Sequence, residues 1–349
     1  MRMLEHLGLK ALHGFDPETA HGLALRGLKT GLLTPAPPPD PILKTTVLGI
    51  DLPSPVGVAA GFDKNAEVPD AMLAMGFGFT EIGAVTPRPQ DGNPRPRLFR
   101  LTEDRAVINR FGFNNQGLDL VADRLAARRG GHRRIWANLG ANKDSEDRSA
   151  DYVTVMEGLH GLVGAMTLNV SSPNTEKLRD LQGPAALEAL LSRAMKTRDR
   201  IAVAGERTPI LLKIAPDLSP TEIDDIAAVA LNARIDGIVA TNTTLSREAL
   251  RSPYAVEKGG LSGAPVKPLA LAALKRLRWA TKGRVPLIGV GGIATAADAY
   301  ERIRAGASAI QIYTAMVYEG PRLGHRIGEG LADLLRKDRF ESVAEAVGV

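Results

Sequence analysis

The sequence predicts an α/β fold of the (β/α)8 barrel class, with a helical hairpin before the barrel. Three observations predict it: eight short apolar runs, helical spacing between most of them, and glycine, amide, hydroxyl or lysine residues at their carboxyl ends. Side chains fill the interior of such a barrel, so its active site lies where the strands end. The runs cover residues 55–61, 79–85, 135–140, 165–170, 210–215, 237–243, 286–292 and 309–315.

A doubly wound open sheet is the competing fold. That fold normally places its glycines in the turn after the first strand. The clearest glycine pair of this chain, Gly291 and Gly292, instead follows the seventh run. Helical spacing at 221–230 and 296–304 supplies the alternation of strand and helix that both folds require, so the position of the glycines favours the barrel.

The segment before the barrel predicts two amphipathic helices. Asp16 and Pro17 are typical of an N-cap and a first helical residue, Gly31 is suited to end that helix, and the proline-rich stretch 34–41 forms a stiff linker. The apolar face either packs back on the barrel or lies in a membrane interface, and periodicity alone does not separate the two. The apolar stripes are Leu4, Leu7, Ala11 and Phe15, then Ala20, Leu23, Ala24, Gly27 and Leu28, with Lys10, Arg26 and Lys29 available to headgroups.

Composition excludes several classes of function. The chain carries a formal charge of +5 but only 4% aromatic residues, and no basic block interleaves with aromatics, so no nucleic-acid partner is expected. A basic surface suits an anionic lipid leaflet or an anionic substrate. Cysteine is absent, which excludes disulfides, thiolate metal sites and a cysteine base, and no metal site is expected. No run approaches the roughly 20 apolar residues of a membrane span. The start lacks the apolar region of a secretory signal, so we expect an intracellular protein.

The ends of the fifth, seventh and eighth runs indicate a phosphate and an electron-rich ring. Gly289–Thr295 turns from a strand into a helix and lets backbone N–H groups approach an oxyanion, next to Tyr313 and Thr314. Lys213 follows three apolar residues and should face an electron-rich group. Beside N1 and O2 of a flavin it would stabilise the anionic reduced ring; alternatively it is a lysine that reaches solvent at the strand end.

Asparagines recur at the strand ends and in the neighbouring loops. Carboxamides both donate and accept hydrogen bonds, so such a set complements a ring with alternating N–H and C=O groups, although each asparagine alone could cap a turn. Lys64 would add a cation for a carboxylate on that ring. The set is Asn109, Asn138, Asn169, Asn174 and Asn242.

Ser172 lies in the Pro-broken segment Asn169–Thr175, which could also be an ordinary turn. It has no adjacent histidine and no Gly-x-Ser-x-Gly elbow, which argues against a hydrolase. A serine base requires a closed, dry pocket and a proton acceptor network, for which Thr175 and an ordered water are a hypothesis.

Five motifs, in this order, resemble those of the dihydroorotate dehydrogenases of the membrane-associated, quinone-reducing class. The resemblance extends over nearly the full length of the chain. The motifs are Ala59–Asn65, Glu81–Gln90, Gly92–Arg97, Ile108–Asn114 and Asn169–Thr175.

The resemblance implies FMN as cofactor and dihydroorotate as substrate. In the family the base is a cysteine in the soluble class and a serine in the membrane class, so Ser172 takes the role here. Relatives often have threonine where this chain has Ala84, a departure that could weaken flavin binding slightly. The implied FMN contacts are Ala60, Gly61, Lys64, Ala84, Asn138, Asn169, Lys213, Thr241, Gly263, Gly292, Tyr313 and Thr314. The implied substrate contacts are Lys64, Asn109, Arg110, Phe111, Gly112, Phe113, Asn169, Asn174, Asn242 and Thr243.

The resemblance also assigns a role to the hairpin. Residues 1–36 are expected to hold the protein at a membrane and to admit a ubiquinone-type quinone, with residues 37–349 forming the FMN-binding barrel. His21 and Arg100 would lie near the quinone head. The expected location is the cytoplasmic face of the bacterial inner membrane, as a peripheral protein.

Three alternatives remain open at this point. One is a flavin barrel that uses a soluble acceptor such as fumarate or NAD, against which the hairpin argues. Another is a flavin-free, phosphate-binding isomerase or aldolase, which would be colourless. The third is a membrane-attached binding protein with an inactive barrel, whose yellow colour dihydroorotate would not bleach.

Overall fold

The computed structural model describes residues 2–175, 178–203 and 206–349, with side chains from residue 7 onward. The prediction that Leu4 lies on the first apolar stripe concerns a side chain outside the described residues. In the described ranges the strands are β1 (Thr45–Val47), β2 (Ile50–Leu52), β3 (Val56–Val58), β4 (Phe79–Val85), β5 (Leu98–Leu101), β6 (Ala106–Asn109), β7 (Ile135–Leu139), β8 (Ala165–Asn169), β9 (Ile210–Ile214), β10 (Gly237–Ala240), β11 (Gly260–Gly263), β12 (Leu287–Val290) and β13 (Ala307–Ile312).

The helices alternate with these strands through most of the chain. In the same ranges they are α1 (Arg2–His13), α2 (Pro17–Lys29), α3 (Pro69–Ala74), α4 (Leu118–Ala126), α5 (Arg148–Leu159), α6 (Pro184–Ile201), α7 (Pro220–Asn232), α8 (Lys267–Thr281), α9 (Ala296–Arg304), α10 (Thr314–Glu319) and α11 (Leu323–Lys337).

Eight parallel strands form a closed barrel in the order β10-β12-β13-β3-β4-β7-β8-β9. Each of them lies in or overlaps one of the eight apolar runs, so the predicted barrel is confirmed and the open sheet is wrong. Because the strands are parallel, their carboxyl ends meet at one rim. Side chains alternate between the interior and the helices, which places Phe79 and Glu81 on the inward side of β4 and Trp136 and Asn138 on that of β7.

A short antiparallel hairpin, β1–β2, closes the amino end of the barrel. Its residues Val47, Ile50 and Leu52 pack in one cluster with inward residues of the strands. In that cluster the rings of Phe79 and Trp136 stack with centroids 4.1 Å apart. Gly57 makes room for Phe79, because a Cβ on Gly57 would lie 2.4 Å from the ring. The interior at this end is therefore filled, as in other barrels of this class.

A separate three-stranded sheet, ordered β11-β6-β5, stands at the carboxyl rim. Its strands are antiparallel, and Asn109 at the end of β6 pairs with Gly260 of β11. The sheet therefore places polar residues such as Asn109 at the carboxyl rim of the barrel.

The N-terminal hairpin packs back on the barrel through α2. The Asp16 side chain accepts hydrogen bonds from the backbone N–H groups of Glu18 and Thr19, which caps the helix as predicted. Leu28 is buried and joins the main core. Helix α1 ends at His13, two residues earlier than the predicted stripe, so Phe15 lies beyond the helix and is 51% exposed. Among the described residues, no helix has the length and apolar character needed to cross a membrane.

Candidate active site

A cavity of about 900 Å³ opens where the barrel strands end. Residues from the barrel, from the three-stranded sheet and from the N-terminal hairpin line it. Every predicted site residue except Arg110 is among its lining residues. These are His21, Ala60, Gly61, Lys64, Ala84, Arg100, Asn109, Phe111, Gly112, Phe113, Asn138, Asn169, Ser172, Asn174, Lys213, Thr241, Asn242, Thr243, Gly263, Gly292, Tyr313 and Thr314.

A row of side-chain amides crosses the cavity floor. Asn242 Nδ2 donates to Asn169 Oδ1 at 3.2 Å, and Asn169 Nδ2 donates to Asn138 Oδ1 at 2.8 Å. Asn138 Nδ2 then donates to Glu81 Oε1 at 2.7 Å, and Gln311 donates to the other oxygen of that carboxylate. Because each amide donates toward Glu81, the orientation of the whole row is fixed.

Sequence reasoning missed Glu81 and Gln311 as members of this floor. Both are fully buried and lie on inward positions of β4 and β13. A carboxylate inside an apolar run was the available signal, since a buried charge requires a partner.

Lys213 supplies a positive charge beside this floor. It pairs in register with Asn169 on the neighbouring strand and is 5% exposed. Burial lowers the pKa of Lys213, and the charge of Glu81 acts in the opposite direction. A cation beside a row of amides at the floor of the cavity suits the polar edge of a ring.

The loops after β12 and β13 lie side by side because these strands pair. Gly291 and Gly292 have φ values of +112° and +70°, and a Cβ on Gly292 would lie 2.4 Å from the Cβ of Lys267. Gly263, with a φ of +98°, is similarly crowded, since its Cβ would lie 2.4 Å from the Arg105 carbonyl oxygen. Residues without a Cβ are required here, and the exposed backbone they leave is suited to a phosphate.

Arg302 holds the loop after β12 that contains Gly291 and Gly292. This buried side chain donates to the carbonyl oxygens of Gly291 and Lys267 at 2.8 and 2.9 Å. On the same side, Thr314 Oγ1 donates to Ser262 Oγ at 2.8 Å. The predicted phosphate end of the cavity is thus held by Arg302, which does not line the cavity, and by Thr314, which does.

Lys64 lies at the opposite side of the cavity, close to Phe111. Its Nζ donates to the Gly61 carbonyl oxygen at 3.0 Å and lies 4.2 Å from the centre of the Phe111 ring. Burial is the main cause that lowers the pKa of Lys64 to about 8. Near neutral pH the side chain is therefore a half-buried cation that can receive an anionic group.

Ser172 is 6% exposed and lines the same cavity. Its Oγ accepts a hydrogen bond from the backbone N–H of Asn174 at 3.3 Å, and Asn174 Nδ2 donates to Asn109 Oδ1 at 3.2 Å. The Thr175 hydroxyl is buried and finds no hydrogen-bond partner in the described part of the chain. The segment therefore presents a hydroxyl and an amide to the cavity from a loop fixed at several points.

Arg110 differs from the other predicted site residues. Its guanidinium donates to Glu257 at 2.7 Å and to the Lys258 carbonyl oxygen at 3.0 Å, and it lies 4.5 Å from the centre of the Phe99 ring. These contacts hold the side chain away from the cavity, so the expected substrate contact of this side chain is not found. The sequence motif gives the position of the segment but not the direction of each side chain.

His21 and Arg100 border the cavity where the hairpin covers it. The His21 ring lies 5.5 Å from Phe62 and 6.3 Å from Tyr313, centre to centre. Burial, assisted by the charge of Lys64, lowers the pKa of His21 to about 3. Arg100 donates to the His13 carbonyl oxygen at 3.0 Å. This end of the cavity is therefore aromatic, with a neutral imidazole and a cation.

Comparison with known proteins identifies the family. The family model for dihydroorotate dehydrogenase matches residues 42–335. The chain belongs to the dihydroorotate dehydrogenase family. It is 56% identical to the dihydroorotate dehydrogenase (quinone) of Cereibacter sphaeroides over 349 residues, which covers 100% of this chain and 98% of the relative. It is 52% identical to the dihydroorotate dehydrogenase (quinone) of Erythrobacter litoralis over 346 residues, covering 99% of each.

A solved dihydroorotate dehydrogenase has the same fold. The crystal structure of DHODH from Eimeria tenella in complex with ferulenol matches with a TM-score of 0.92 and 39% identity, covering 97% of this chain and 98% of that one. Members of the dihydroorotate dehydrogenase family are flavin-dependent, which agrees with a cavity that has a cation, a row of amides and a glycine loop at its base.

Proposed function

We infer that this chain oxidises dihydroorotate to orotate and delivers the electrons to a quinone, a step of pyrimidine biosynthesis. The observation that carries the inference is the convergence of Ser172, Lys64 and Lys213 on one cavity together with six asparagines. Two cations and a buried hydroxyl at separate points of one cavity suit an anionic ring substrate beside a flavin.

We propose FMN as the flavin. The fit rests on the positive-φ glycines Gly263 and Gly292, which line the cavity with backbone because Arg105 and Lys267 leave no room for a Cβ, and on the buried Lys213. The chemistry that FMN supplies when bound is acceptance of the C6 hydride and transfer of two electrons onward. The residues that would hold it are Ala60, Gly61, Lys64, Ala84, Asn138, Asn169, Lys213, Thr241, Gly263, Gly292, Tyr313 and Thr314.

Ser172 is proposed as the base that removes the C5 proton of dihydroorotate. Its burial excludes bulk water, and a proton acceptor in a dry cavity is more effective than one in water. To act as a base Ser172 must pass its own hydroxyl proton to a neighbouring acceptor as its Oγ takes the C5 proton, and the backbone N–H of Asn174, which donates to Oγ, stabilises the negative charge that this oxygen carries once its own proton leaves. Thr175 is a candidate for the next proton position, because its buried hydroxyl is unpartnered in the described residues.

The substrate ring is proposed to be held by amides and its carboxylate by Lys64. Asn242 is oriented by its own bonds, since its Oδ1 accepts from the backbone N–H of Thr243 at 2.8 Å while its Nδ2 donates to Asn169 and Ser171. Preorganised donors and acceptors of this kind favour one placement of a ring with alternating N–H and C=O groups. The proposed contacts are Lys64, Asn109, Phe111, Gly112, Phe113, Asn169, Asn174, Asn242 and Thr243.

The hairpin side is proposed to admit a ubiquinone-type quinone, with His21 and Arg100 near its head. Because the pKa of His21 is low, the imidazole would act as a neutral hydrogen-bonding group and Arg100 would supply the charge. We propose that residues 1–36 also bind a membrane surface, at the cytoplasmic face of the bacterial inner membrane. Exposed apolar residues at the hairpin, Leu7, Phe15, Leu32 and Leu33, support this.

One anaerobic experiment tests these assignments together. Purified protein should be yellow, lose its flavin absorbance when dihydroorotate is added, and recover it when a short-chain ubiquinone is added. Colourless protein would support a flavin-free barrel, and yellow protein that dihydroorotate fails to bleach would support a binding protein. Recovery with fumarate or NAD but not with quinone would support a soluble acceptor.

A further inference from the structure

Glu18 of α2 forms ion pairs with two arginines of the barrel domain. Its carboxylate accepts from Arg97 Nη2 at 2.7 Å and from Arg97 Nε at 3.1 and 3.2 Å, and it also accepts from Arg95 at 3.0 Å. The side chains of Glu18 and Arg97 are only 15% and 8% exposed. Burial acts to raise the pKa of Glu18, but the bonds and charges of the two arginines outweigh it, so the pKa is lowered and the carboxylate is charged.

The other end of Arg97 holds a turn beneath the substrate segment. Arg97 Nη1 donates to the carbonyl oxygens of Asn93 and Asp91 at 2.9 and 2.5 Å. The Asn93 side chain then donates to the carbonyl oxygen of Arg110 at 2.9 Å and to that of Asn174 at 3.4 Å. The turn is tightly fitted, because a Cβ on Gly92 would lie 2.2 Å from the Phe111 carbonyl oxygen. Displacement of Arg97 would therefore be passed to both loops that flank Ser172 and Lys64.

Phe111 joins this contact to the cation of the substrate side. The Lys64 Nζ lies 4.2 Å from the ring centre and the Arg97 guanidinium 5.5 Å from it. The charge of Glu18 also favours the protonated form of Lys64, whereas the charge of Arg97 opposes it. Glu18 therefore influences Lys64 in two ways. It acts indirectly through the contacts of Arg97 and Phe111, and it acts through its own charge.

We propose that Glu18 is a positioning residue for the dihydroorotate subsite, so that the hairpin serves the substrate as well as the quinone. Through Arg97 it fixes the 91–93 turn and with it the segment Asn109–Phe113 and the backbone of Asn174. The inference rests on the function proposed above. It predicts that a change at one hairpin residue alters substrate affinity without touching the cavity.

The test is a titration of the oxidised, flavin-loaded protein with orotate, followed by the flavin absorbance. Glu18→Gln keeps the shape of the side chain but removes its charge. We expect the orotate dissociation constant to rise about fivefold to tenfold, in the range of ordinary coupling between sites. The limiting rate of flavin reduction by dihydroorotate and the KM for quinone should each stay within about twofold, because Ser172 and His21 keep their own contacts.

Lys29→Met is the matched control. Lys29 pairs with Glu67 and attaches the same helix to the same domain, but it does not contact the 91–93 turn. Its orotate dissociation constant should equal that of the unsubstituted protein. Arg97→Lys is a second variant: a lysine keeps the charge but cannot bridge Glu18 and the Asn93 carbonyl together, so orotate affinity should fall here as well.

The possible results lead to different conclusions. An unchanged orotate dissociation constant in Glu18→Gln overturns the inference, as does an equal rise in Lys29→Met, which would indicate general loosening of the hairpin. A change in the quinone KM alone also overturns it. Unsubstituted protein that neither binds orotate nor is bleached by dihydroorotate would instead refute the proposed function.

Discussion

Asn138 donates a 2.7 Å hydrogen bond to Glu81 inside the barrel, and this bond sets the direction of the amide row above it. Glu81 is fully buried, so its carboxylate depends on donors and on the charge of Lys213 for its stability. The interior polar layer is therefore a structural element as well as a part of the cavity.

Replacing Lys213 should expose that dependence. In Lys213→Met the carboxylate of Glu81 loses a nearby positive charge that does not contact it directly, and we expect the free energy of unfolding to fall by about 1 kcal/mol. Urea unfolding of flavin-free protein measures this. Adding Glu81→Gln should restore a part of the loss, because the negative charge is then removed as well; a double variant no more stable than Lys213→Met contradicts the interaction between the two charges.

Ser172→Ala should separate binding from chemistry. The variant should retain its flavin, because the hydroxyl is not needed to hold it, but anaerobic reduction by dihydroorotate should slow by about 10²- to 10⁴-fold, the usual contribution of a general base. Stopped-flow absorbance measures the rate. Reoxidation of chemically reduced variant by quinone serves as the internal control and should be normal. Near-normal flavin reduction would refute the assignment of Ser172.

Orotate affinity should depend on pH through Lys64. Its pKa of about 8 means that the cation is present below that pH and lost above it. Because only the protonated form attracts a carboxylate, the dissociation constant should be constant below about pH 7 and should approach a tenfold rise per pH unit well above 8. Flavin absorbance titrations between pH 6.5 and 9 measure it. Lys64→Met should bind weakly with no such dependence, and the same flat profile in the unsubstituted protein would contradict the prediction.

The quinone half-reaction should show no histidine titration. With a pKa of about 3, His21 is neutral throughout the range from pH 5 to 8. The KM for a short-chain quinone, measured by steady-state kinetics with saturating dihydroorotate, should therefore be flat across that range. His21→Ala should raise this KM while leaving flavin reduction intact. An inflection near pH 6.5 that disappears in His21→Ala would show that the imidazole is charged in part of the range.

Vesicle binding should depend on the exposed apolar residues of the hairpin. Leu32 is 85% exposed and Phe15 51% exposed, so neither contributes much to packing within the protein. The double variant Phe15→Ser, Leu32→Ser should lose about tenfold or more in partition to anionic vesicles, since each side chain can bury apolar area in the interface. Sedimentation with vesicles measures the partition, and Val256→Ser, an 87% exposed apolar residue outside the hairpin, is the control. Equal binding by all three proteins would contradict membrane association through the hairpin.

The eight barrel strands and the composition of the cavity were predictable from the sequence because both follow from short-range patterns, whereas the five described strands outside the barrel were not predicted. An apolar run that ends at Asn169 or Lys213 specifies a strand and a polar tip, and parallel strands then bring the tips together. The direction of a loop side chain does not follow from such a pattern. Arg110 is turned away by Glu257, a partner distant in sequence.

The interior polar layer was missed for a related physical reason. Glu81 and Gln311 are far apart in the chain and meet only because β3 lies between β13 and β4 in the closed barrel. Each alone is an unusual polar residue in an apolar run. The sequence also did not decide where the N-terminal hairpin packs, because an apolar helix face can lie equally well on a protein surface or in a lipid interface. The structure shows that Glu18 of this hairpin pairs with Arg97 of the barrel domain.

The β1–β2 hairpin seals the amino end of the barrel with Val47, Ile50 and Leu52. Ligands can therefore enter the barrel only at its carboxyl rim. A water-soluble and a lipid-soluble ligand would have to reach the cavity from different sides of that rim. If the N-terminal hairpin, residues 1–36, lay on a bilayer, the quinone would enter from the membrane side and dihydroorotate from the aqueous side.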